Sequence, residues 1–200
     1  MTVVEMGSLP SELTFRQRWS HYFALMFAVI GFVVGLNLRD STLSASTIYS
    51  NPQAGIVAAY PRSWLLDESG DDYIFQVRDI AVGGFNTTIR VAAQPISAQT
   101  SARNIFDALT LSRAQVLAAY SVISEQLYIL SDGSETNAMT YTFVSAQVNP
   151  FLQNIPVVVE GIDILITARG QAIIISFLAE ASRFDDNLPV LEQFLRRLEF

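Results

Sequence analysis

The sequence predicts an α+β domain, an antiparallel sheet of about six to seven strands with packed helices, preceded by one transmembrane helix. Three observations predict this fold class. The run from Trp19 to Leu38 contains no residue that is charged at neutral pH. Beyond it, segments of period-2 apolar patterning alternate with two segments of helical patterning. Finally, 50% of the residues are hydrophobic and 16% are charged, so the chain can bury a sizeable core.

The apolar run is the first element. A helix of about 20 residues spans about 30 Å, the hydrocarbon thickness of a bilayer. Arg16 and Arg18 precede the run, whereas Arg39 is neutralised by Asp40. The positive-inside rule therefore predicts a cytoplasmic N-terminus and an extracytoplasmic C-terminal domain. The alternatives are a buried core helix and a cleaved signal peptide with its cleavage site near 43–46, but the run has no polar face and exceeds a signal-peptide core in length.

This interpretation divides the chain into four parts. We expect a cytoplasmic tail over 1–18, a single-pass anchor in the cell membrane over 19–38, a polar Ser/Thr-rich linker over 39–47, and the globular domain over 48–200.

Two residues in the anchor are candidates for contact with another helix. Gly31 and Gly35 form a small-xxx-small motif, which lets a second membrane helix approach closely. The alternative is that Gly is simply common in transmembrane helices. The predicted partners are integral membrane protein subunits, reached through this helix, and the lipid bilayer. His21, the single histidine, could ligate a pigment or haem metal, although an interfacial hydrogen-bonding role is preferred.

The globular domain begins with strands. An opening strand from Ile48 runs into a turn ending at Gly55, a short apolar run follows, and period-2 patterning marks two further segments as strands. The dipeptide Gly83-Gly84 separates the last two as a hairpin would. These segments are Ile56–Tyr60, Tyr73–Ile80 and Thr87–Ile96.

The pattern then changes to a helical period. Ile105, Leu109, Val116 and Tyr120 fall on one face of a predicted helix. Its N-cap would come from Thr100, Ser101 or Asn104.

Strands resume after this helix and a second helix closes the chain. The last two strands are nearly continuous apolar runs, which predicts central positions covered on both faces, and the tight connection Arg169-Gly170-Gln171 predicts that they are antiparallel neighbours. Asp185 and Asp186 mark the start of the final helix, where acids suit the positive end of its dipole. The overall order is three strands, helix, four strands, helix. The later strands are Val122–Leu130, a segment around Met139, Tyr141 and Phe143, Val157–Thr167 and Ala172–Leu178.

One local motif resembles a known family. The opening Tyr49-Ser50-Asn51 to Gly55, followed by Ala59-Tyr60-Pro61-Arg62-Ser63-Trp64, is similar to the start of PsbP-like domains of the PsbP/Mog1 fold. The order of elements over roughly 48–200 resembles the family as well. The resemblance implies a non-catalytic accessory or assembly factor, and the predicted anchor would make this chain a membrane-anchored bacterial member of the family. Trp64 itself is expected to be a core or edge-covering aromatic.

Composition restricts the chemistry further. The net charge is −7, with 19 acids against 12 bases, so nucleic-acid binding is not expected. The chain has no Cys, and its single His precedes the domain, so no Ser-His or Cys-His mechanism and no cofactor or metal site is predicted. The acidic segment 67–72 could offer oxygens to calcium, but lacks the EF-hand pattern, so an ordinary solvated turn is preferred. A hydrolase using paired carboxylates ranks last because nothing singles out a pair.

A loop between two prolines supplies the remaining interface candidates. Phe151, Leu152 and Ile155 lie between Pro150 and Pro156, where they could contact a partner or the membrane, or tuck under their own sheet. Together these features predict a non-catalytic, membrane-anchored accessory or assembly subunit of a larger complex, in photosynthetic or respiratory electron transfer. The alternative is an extracytoplasmic module that binds a small ligand or lipid.

Overall fold

The computed structural model describes residues 15–43, 45–81, 83–97, 99–146 and 156–200. The chain divides into two units, Met1–Ala45 and Ser46–Phe200. The first contains helix α1, Phe15–Leu43. Its segment Trp19–Arg39 has a mean hydropathy of 1.9 and its described side chains are exposed. By length and composition this helix could be a membrane anchor or a signal sequence.

The second unit is an α+β domain, as predicted. Helices α2, Ala102–Val116, and α3, Phe184–Leu195, pack on its strands, and one 3₁₀ turn, Ala181–Arg183, precedes α3. The strands are β1 Ser46–Asn51, β2 Ile56–Pro61, β3 Leu65–Asp67, β4 Phe75–Arg78, β5 Thr88–Pro95, β6 Ala118–Ile129, β7 Glu135–Ser145, β8 Val157–Ala168 and β9 Gln171–Glu180.

Seven strands form one sheet in which every described pairing is antiparallel, in the order β3-β4-β5-β9-β8-β7-β6. The two apolar runs predicted to be central are β8 and β9, which lie inside the sheet. They pair through a two-residue turn in which Arg169 has φ 50° and Gly170 has φ 74°. Both values lie in the left-handed region that a type I′ hairpin requires, so the predicted antiparallel connection is confirmed.

Each face of the sheet has its own core. On one face, α3 and the β1–β2 hairpin cover Phe75, Ile175 and Phe177, and Phe194 of α3 packs against Phe75 with ring centroids 6.3 Å apart. Trp64 joins this core with 8% of its surface exposed, as expected of a core aromatic. On the opposite face, which we call the α2 face, Ile105 and Phe106 of α2 pack against β7, β8 and β9.

The predicted order of elements was wrong before α2, where five strands are present rather than three. The β1–β2 pair forms a separate two-stranded sheet, and the three-residue β3 is too short to give a periodic signal. The segment 39–47, predicted as a linker, is helical through Leu43 and enters β1 at Ser46. A Ser/Thr-rich segment can extend a helix that is already nucleated, because propagation is far easier than nucleation.

The predicted apolar face of the first helix of the domain was also too long. Helix α2 ends at Val116, whose side chain is 77% exposed, and Leu117 is extended. Ala119 takes a positive φ of 52°, at an irregularity in the pairing of β6 with β7. Tyr120 therefore belongs to β6, and its helical spacing from Ile105 was coincidental. The predicted N-cap is confirmed, since Ser101 Oγ accepts a hydrogen bond from the Asn104 amide.

Candidate functional site

A groove opens on the α2 face of the sheet, beside α2 and over β4, β5 and β9. It has a volume of about 550 Å³. Since α2 packs over the β6 side of the sheet, the side nearest β3 is left uncovered by any described helix. Polar side chains line this uncovered part of the sheet. We refer to the 550 Å³ cavity as the groove.

The register of the strands explains why polar residues gather there. Gln76 of β4 lies opposite Arg90 of β5, Arg90 lies opposite Ser176 of β9, and Ser176 lies opposite Asp163 of β8. Side chains at paired positions of adjacent strands point to the same face. The four residues therefore form one polar row across the α2 face, which ends at the carboxylate of Asp163 beneath α2.

The inner end of this row is an ion pair between α2 and the sheet. The Asp163 side chain is fully buried, and the side chain of Arg113, near the end of α2, is 17% exposed. Arg113 donates from Nη1 to Asp163 Oδ2, and from Nη2 to Asp163 Oδ1 at 3.1 Å and to Ser176 Oγ at 3.4 Å. Burial is the largest single influence on the pKa of the Arg113 guanidinium and lowers it, but the charge and hydrogen bond of Asp163, together with the two neighbouring tyrosines Tyr141 and Tyr120, outweigh burial and raise the pKa. This bidentate ion pair joins the end of α2 to the centre of the sheet.

Tyr141 completes the surroundings of Asp163. Its hydroxyl donates to Asp163 Oδ1 at 3.4 Å, and the Arg113 guanidinium carbon lies 4.4 Å from its ring centroid. Burial first, and then the charge of Asp163, raise the pKa of Tyr141 well above its ordinary value. Gly161, opposite Tyr141 on β8, makes room for the ring, since a Cβ there would lie 2.6 Å from Tyr141 Cζ and 2.8 Å from Leu178 Cδ2.

The outer end of the groove carries two further arginines. Arg90 donates from Nη2 to Gln76 Oε1 at 3.2 Å and from Nη1 to Asp72 Oδ2 at 3.4 Å. Arg78 donates from Nη2 to Asp67 Oδ2 at 3.3 Å. The Nε atoms of both arginines are buried and have no hydrogen-bond partner in the described part of the chain. These two guanidinium groups therefore retain donors that protein acceptors do not satisfy.

The acidic segment 67–72 supports these arginines. Asp67 Oδ1 accepts from the Ser69 hydroxyl at 2.6 Å and the Ser69 amide at 3.0 Å, while Oδ2 accepts from Gln76 Nε2 at 2.9 Å. The two Ser69 bonds, and then the Gln76 bond, lower the pKa of Asp67. Both carboxylate oxygens are thus occupied by protein donors. Among the described residues no three His, Cys, Asp or Glu side chains are grouped to hold a metal ion.

Apolar side chains form the rest of the groove wall. Leu109 and Leu117 contribute from α2 and the residue after it, and Phe85, Phe143 and Leu178 from the sheet side. Phe85 and Phe143 meet edge to face with ring centroids 6.4 Å apart. The groove therefore combines guanidinium donors with a hydrophobic wall, the combination typical of sites for small amphiphilic molecules.

The residues predicted as interface candidates are not among the described residues that line the groove. Gly31 and Gly35 lie four residues apart on α1, and a Cβ at either position would meet nothing within 4 Å. Phe151, Leu152 and Ile155 lie outside the described residues. Sequence reasoning did not find the groove, although Asp163 gave a signal. An acid inside a strand predicted to be buried on both faces requires a buried cation.

Comparisons with known proteins identify the fold. No family model and no curated protein matches the chain. Among solved structures, the chain resembles cyanobacterial PsbP (CyanoP) from Synechocystis sp. PCC 6803 at 14% identity and a TM-score of 0.55, covering 78% of this chain and 92% of that one.

Two other solved structures have lower TM-scores. The Ran-binding protein Mog1p of Saccharomyces cerevisiae has 14% identity, 78% and 95% coverage of the two chains and a TM-score of 0.45. LpqN, involved in cell envelope biogenesis of Mycobacterium tuberculosis, has 10% identity, 77% and 89% coverage and a TM-score of 0.49. The domain has a PsbP/Mog1-like fold, as its opening motif and element order suggested. At these identities the likeness concerns the fold alone.

Proposed function

We propose that this protein is a non-catalytic accessory or assembly subunit of a larger membrane complex, held by α1 as a single-pass anchor. Its N-terminus would lie in the cytoplasm and its PsbP/Mog1-like domain outside, with photosynthetic or respiratory electron transfer as the setting. The observation that carries the proposal is the pairing of an uncharged helical segment, Trp19 to Leu38, with a domain that resembles cyanobacterial PsbP.

The distribution of functional groups supports a non-catalytic role. The sequence contains no Cys, and its single histidine, His21, lies within α1. Next to the groove, Asp163 is bound by Arg113 and Tyr141, and Asp67 by Ser69 and Gln76. Acids whose oxygens are already held by protein donors are poorly placed to accept a proton from a substrate.

Two surfaces offer contacts to partner subunits. Gly31 and Gly35 leave a flat strip on α1 against which another membrane helix could pack. On the domain, β6 is the outermost strand of the described sheet and carries exposed Leu127 and Ile129. A strand with one unpaired edge and exposed apolar side chains can be covered by a partner.

Purification from native membranes tests the proposal. A tagged chain, solubilised in mild detergent, should migrate with integral membrane subunits well above its monomer mass of 22.1 kDa. Replacing Gly31 and Gly35 together by Ile should reduce co-purification, since bulky side chains keep helices apart. The control carries Val29→Leu and Val33→Leu, on the opposite side of the same helix, and should behave as the native chain. Recovery of the native chain as a free monomer, or from a soluble fraction without α1, would refute the accessory role.

The groove favours a second function, the binding of a small ligand by the domain. Its volume of about 550 Å³ is within the range of small-molecule sites. Its mixed lining of guanidinium and apolar groups is an observation that the accessory role does not explain.

A further inference from the structure

We propose that the groove binds a small amphiphilic anion, whose acidic head accepts hydrogen bonds from Arg78 and Arg90 and whose hydrocarbon body lies against Leu109 and Leu178. This inference rests on the second function above and is independent of the accessory role. The ligand class is a carboxylate or phosphate ester with a short apolar chain.

The two arginines have unused hydrogen-bonding capacity. A guanidinium has five N–H donors. Arg78 uses one of them, toward Asp67, and Arg90 uses two, toward Gln76 and Asp72. The Nε of each is buried with no acceptor in the described part of the chain. The two side chains are 38% and 36% exposed, so the remaining Nη donors are the ones that an oxyanion in the groove can reach.

The two arginines are spaced so that both can reach one anion. Arg78 lies opposite Thr88, and Arg90 lies two residues further along the same strand. Diagonal neighbours of this kind have Cα atoms about 7–8 Å apart, and their side chains share one face of the sheet. Two long guanidinium side chains at that separation can contact the same carboxylate or phosphate. Arg113 is not part of this pair, because Asp163 and Ser176 already hold it.

Arg90 has an acidic partner with which a ligand would compete. Its partner Asp72 contacts it at 3.4 Å through a side chain that is 73% exposed. An exposed ion pair of this kind contributes little, so a ligand head can displace Asp72 at small cost. Asp72 is therefore a rim carboxylate that repels an incoming anion and competes with it for the same guanidinium.

Apolar side chains form one wall of the groove. Leu109 and Leu117 face the groove beside Leu178 and Phe143. A purely inorganic anion would leave this wall in contact with water, whereas a hydrocarbon chain would cover it. The chemistry of the groove thus calls for a head and a body in one molecule.

Calorimetric titration of octanoate into the full chain in lipid nanodiscs tests the proposal, with empty nanodiscs titrated for subtraction. Arg78→Gln and Arg90→Gln should each weaken octanoate binding about tenfold or more, because each removes a charge-assisted hydrogen bond to the carboxylate, and the loss of one such bond lowers affinity by about that factor. Arg62→Gln, on an exposed turn outside the groove, should leave binding unchanged. Asp72→Asn should tighten binding severalfold, because it removes the competing carboxylate.

Three further ligands define the head and the body. Octanol should bind at least about tenfold more weakly than octanoate, because it lacks the charge. Octyl phosphate binding more tightly than octanoate would assign the head to a phosphate ester, whereas the reverse would assign it to a carboxylate. Inorganic phosphate should bind much more weakly than either. Octanoate affinity that is equal in native chain and both Gln variants, or equal to that of octanol, would overturn the proposal.

Two checks keep these outcomes interpretable. Arg78→Lys and Arg90→Lys retain the charge but lack the Nε donor, so an intermediate loss of affinity with an unchanged unfolding temperature would separate ligand binding from folding. Co-purification of the Arg90→Gln chain with membrane subunits is expected to be unchanged. Failure of the native chain to bind octanoate would therefore refute only the ligand proposal, whereas failure to co-purify with membrane subunits would refute only the accessory role.

Discussion

Replacing Arg113 by Met is the most informative perturbation of the fold. The change keeps an apolar stem of similar reach on α2 but removes the cation beside Asp163. Because the Asp163 side chain is fully buried, its charge would be left with the Tyr141 hydroxyl at 3.4 Å and no cation among its described contacts. Removing one partner of a buried ion pair costs about 3–5 kcal/mol in the free energy of unfolding. At this chain length that corresponds to a fall in Tm of roughly 6–20 °C.

The two partners of the pair are not equivalent, which allows a sharper test. The Arg113 side chain retains 17% exposure at the groove, so after Asp163→Asn the guanidinium can still reach water. We expect Asp163→Asn to cost about 1–3 kcal/mol, less than Arg113→Met, because an exposed charge can be resolvated. The double variant Arg113→Met/Asp163→Leu should recover much of the loss, since an apolar pair needs no compensation.

The free energies of unfolding and the Tm values are obtained from urea and thermal unfolding of the full chain, followed by the circular dichroism signal of the domain. Arg103→Met provides a matched control, because Arg103 lies exposed on the same helix and should change stability by less than about 0.5 kcal/mol. A loss below about 1 kcal/mol for Arg113→Met, or a double variant that is no more stable than Arg113→Met alone, would refute the assignment of Asp163 as a buried charge that depends on Arg113.

Three further predictions follow from the same face of the sheet. Gly161→Ala should destabilise the domain by about 1–3 kcal/mol, since the new methyl group would collide with the Tyr141 ring and Leu178; equal stability in urea unfolding would contradict this. Burial raises the pKa of Tyr141, so the contribution of its neutral form to stability is fully present below the unfolded-state pKa of about 10 and is lost as the pH rises above that value. In a plot of the free energy of unfolding against pH, the Tyr141→Phe chain should therefore have a flatter alkaline limb than the native chain. The Ser69 hydroxyl is the main group that lowers the pKa of Asp67, so the contribution of the Asp67 carboxylate to stability is present above the unfolded-state pKa of about 3.9 and is lost as the pH falls. Ser69→Ala should flatten the acid limb of a plot of the free energy of unfolding against pH. An unchanged acid limb would exclude a contribution from this hydrogen bond.

The elements that sequence reasoning predicted well are those whose signal is local. The hairpin at Arg169-Gly170 is specified by two adjacent residues, and the buried runs of β8 and β9 by continuous Ile, Leu and Val. The first turn of α3 contains Asp185 and Asp186, as predicted. In each case the physical cause, a positive φ, burial on two faces or a helix dipole, acts within a few residues.

The groove could not be predicted in the same way, because its residues meet through strand register. Gln76 and Arg90 alternate with apolar neighbours as any solvent-facing residues do, and nothing local indicates that they lie beside Ser176. Register is decided by turn lengths and by the packing of whole faces. Asp163 was visible as an exception in an apolar strand, but its partner Arg113 lies 50 positions away on a helix.

The unequal covering of the two faces gives the groove its physical cause. Seven strands spaced about 4.8 Å apart make a sheet about 29 Å wide, whereas a helix with its side chains is about 10–12 Å across. One face is covered by two elements, α3 and the β1–β2 hairpin, and has an apolar core that extends from Phe75 to Ile164. The other face has α2 alone in the described chain, so one helix cannot exclude water from all seven strands. The strands that α2 does not cover must then carry polar side chains, as they do at Gln76 and Arg90. A polar surface bounded on one side by the apolar residues of a helix is where a ligand with a polar head and an apolar body can bind.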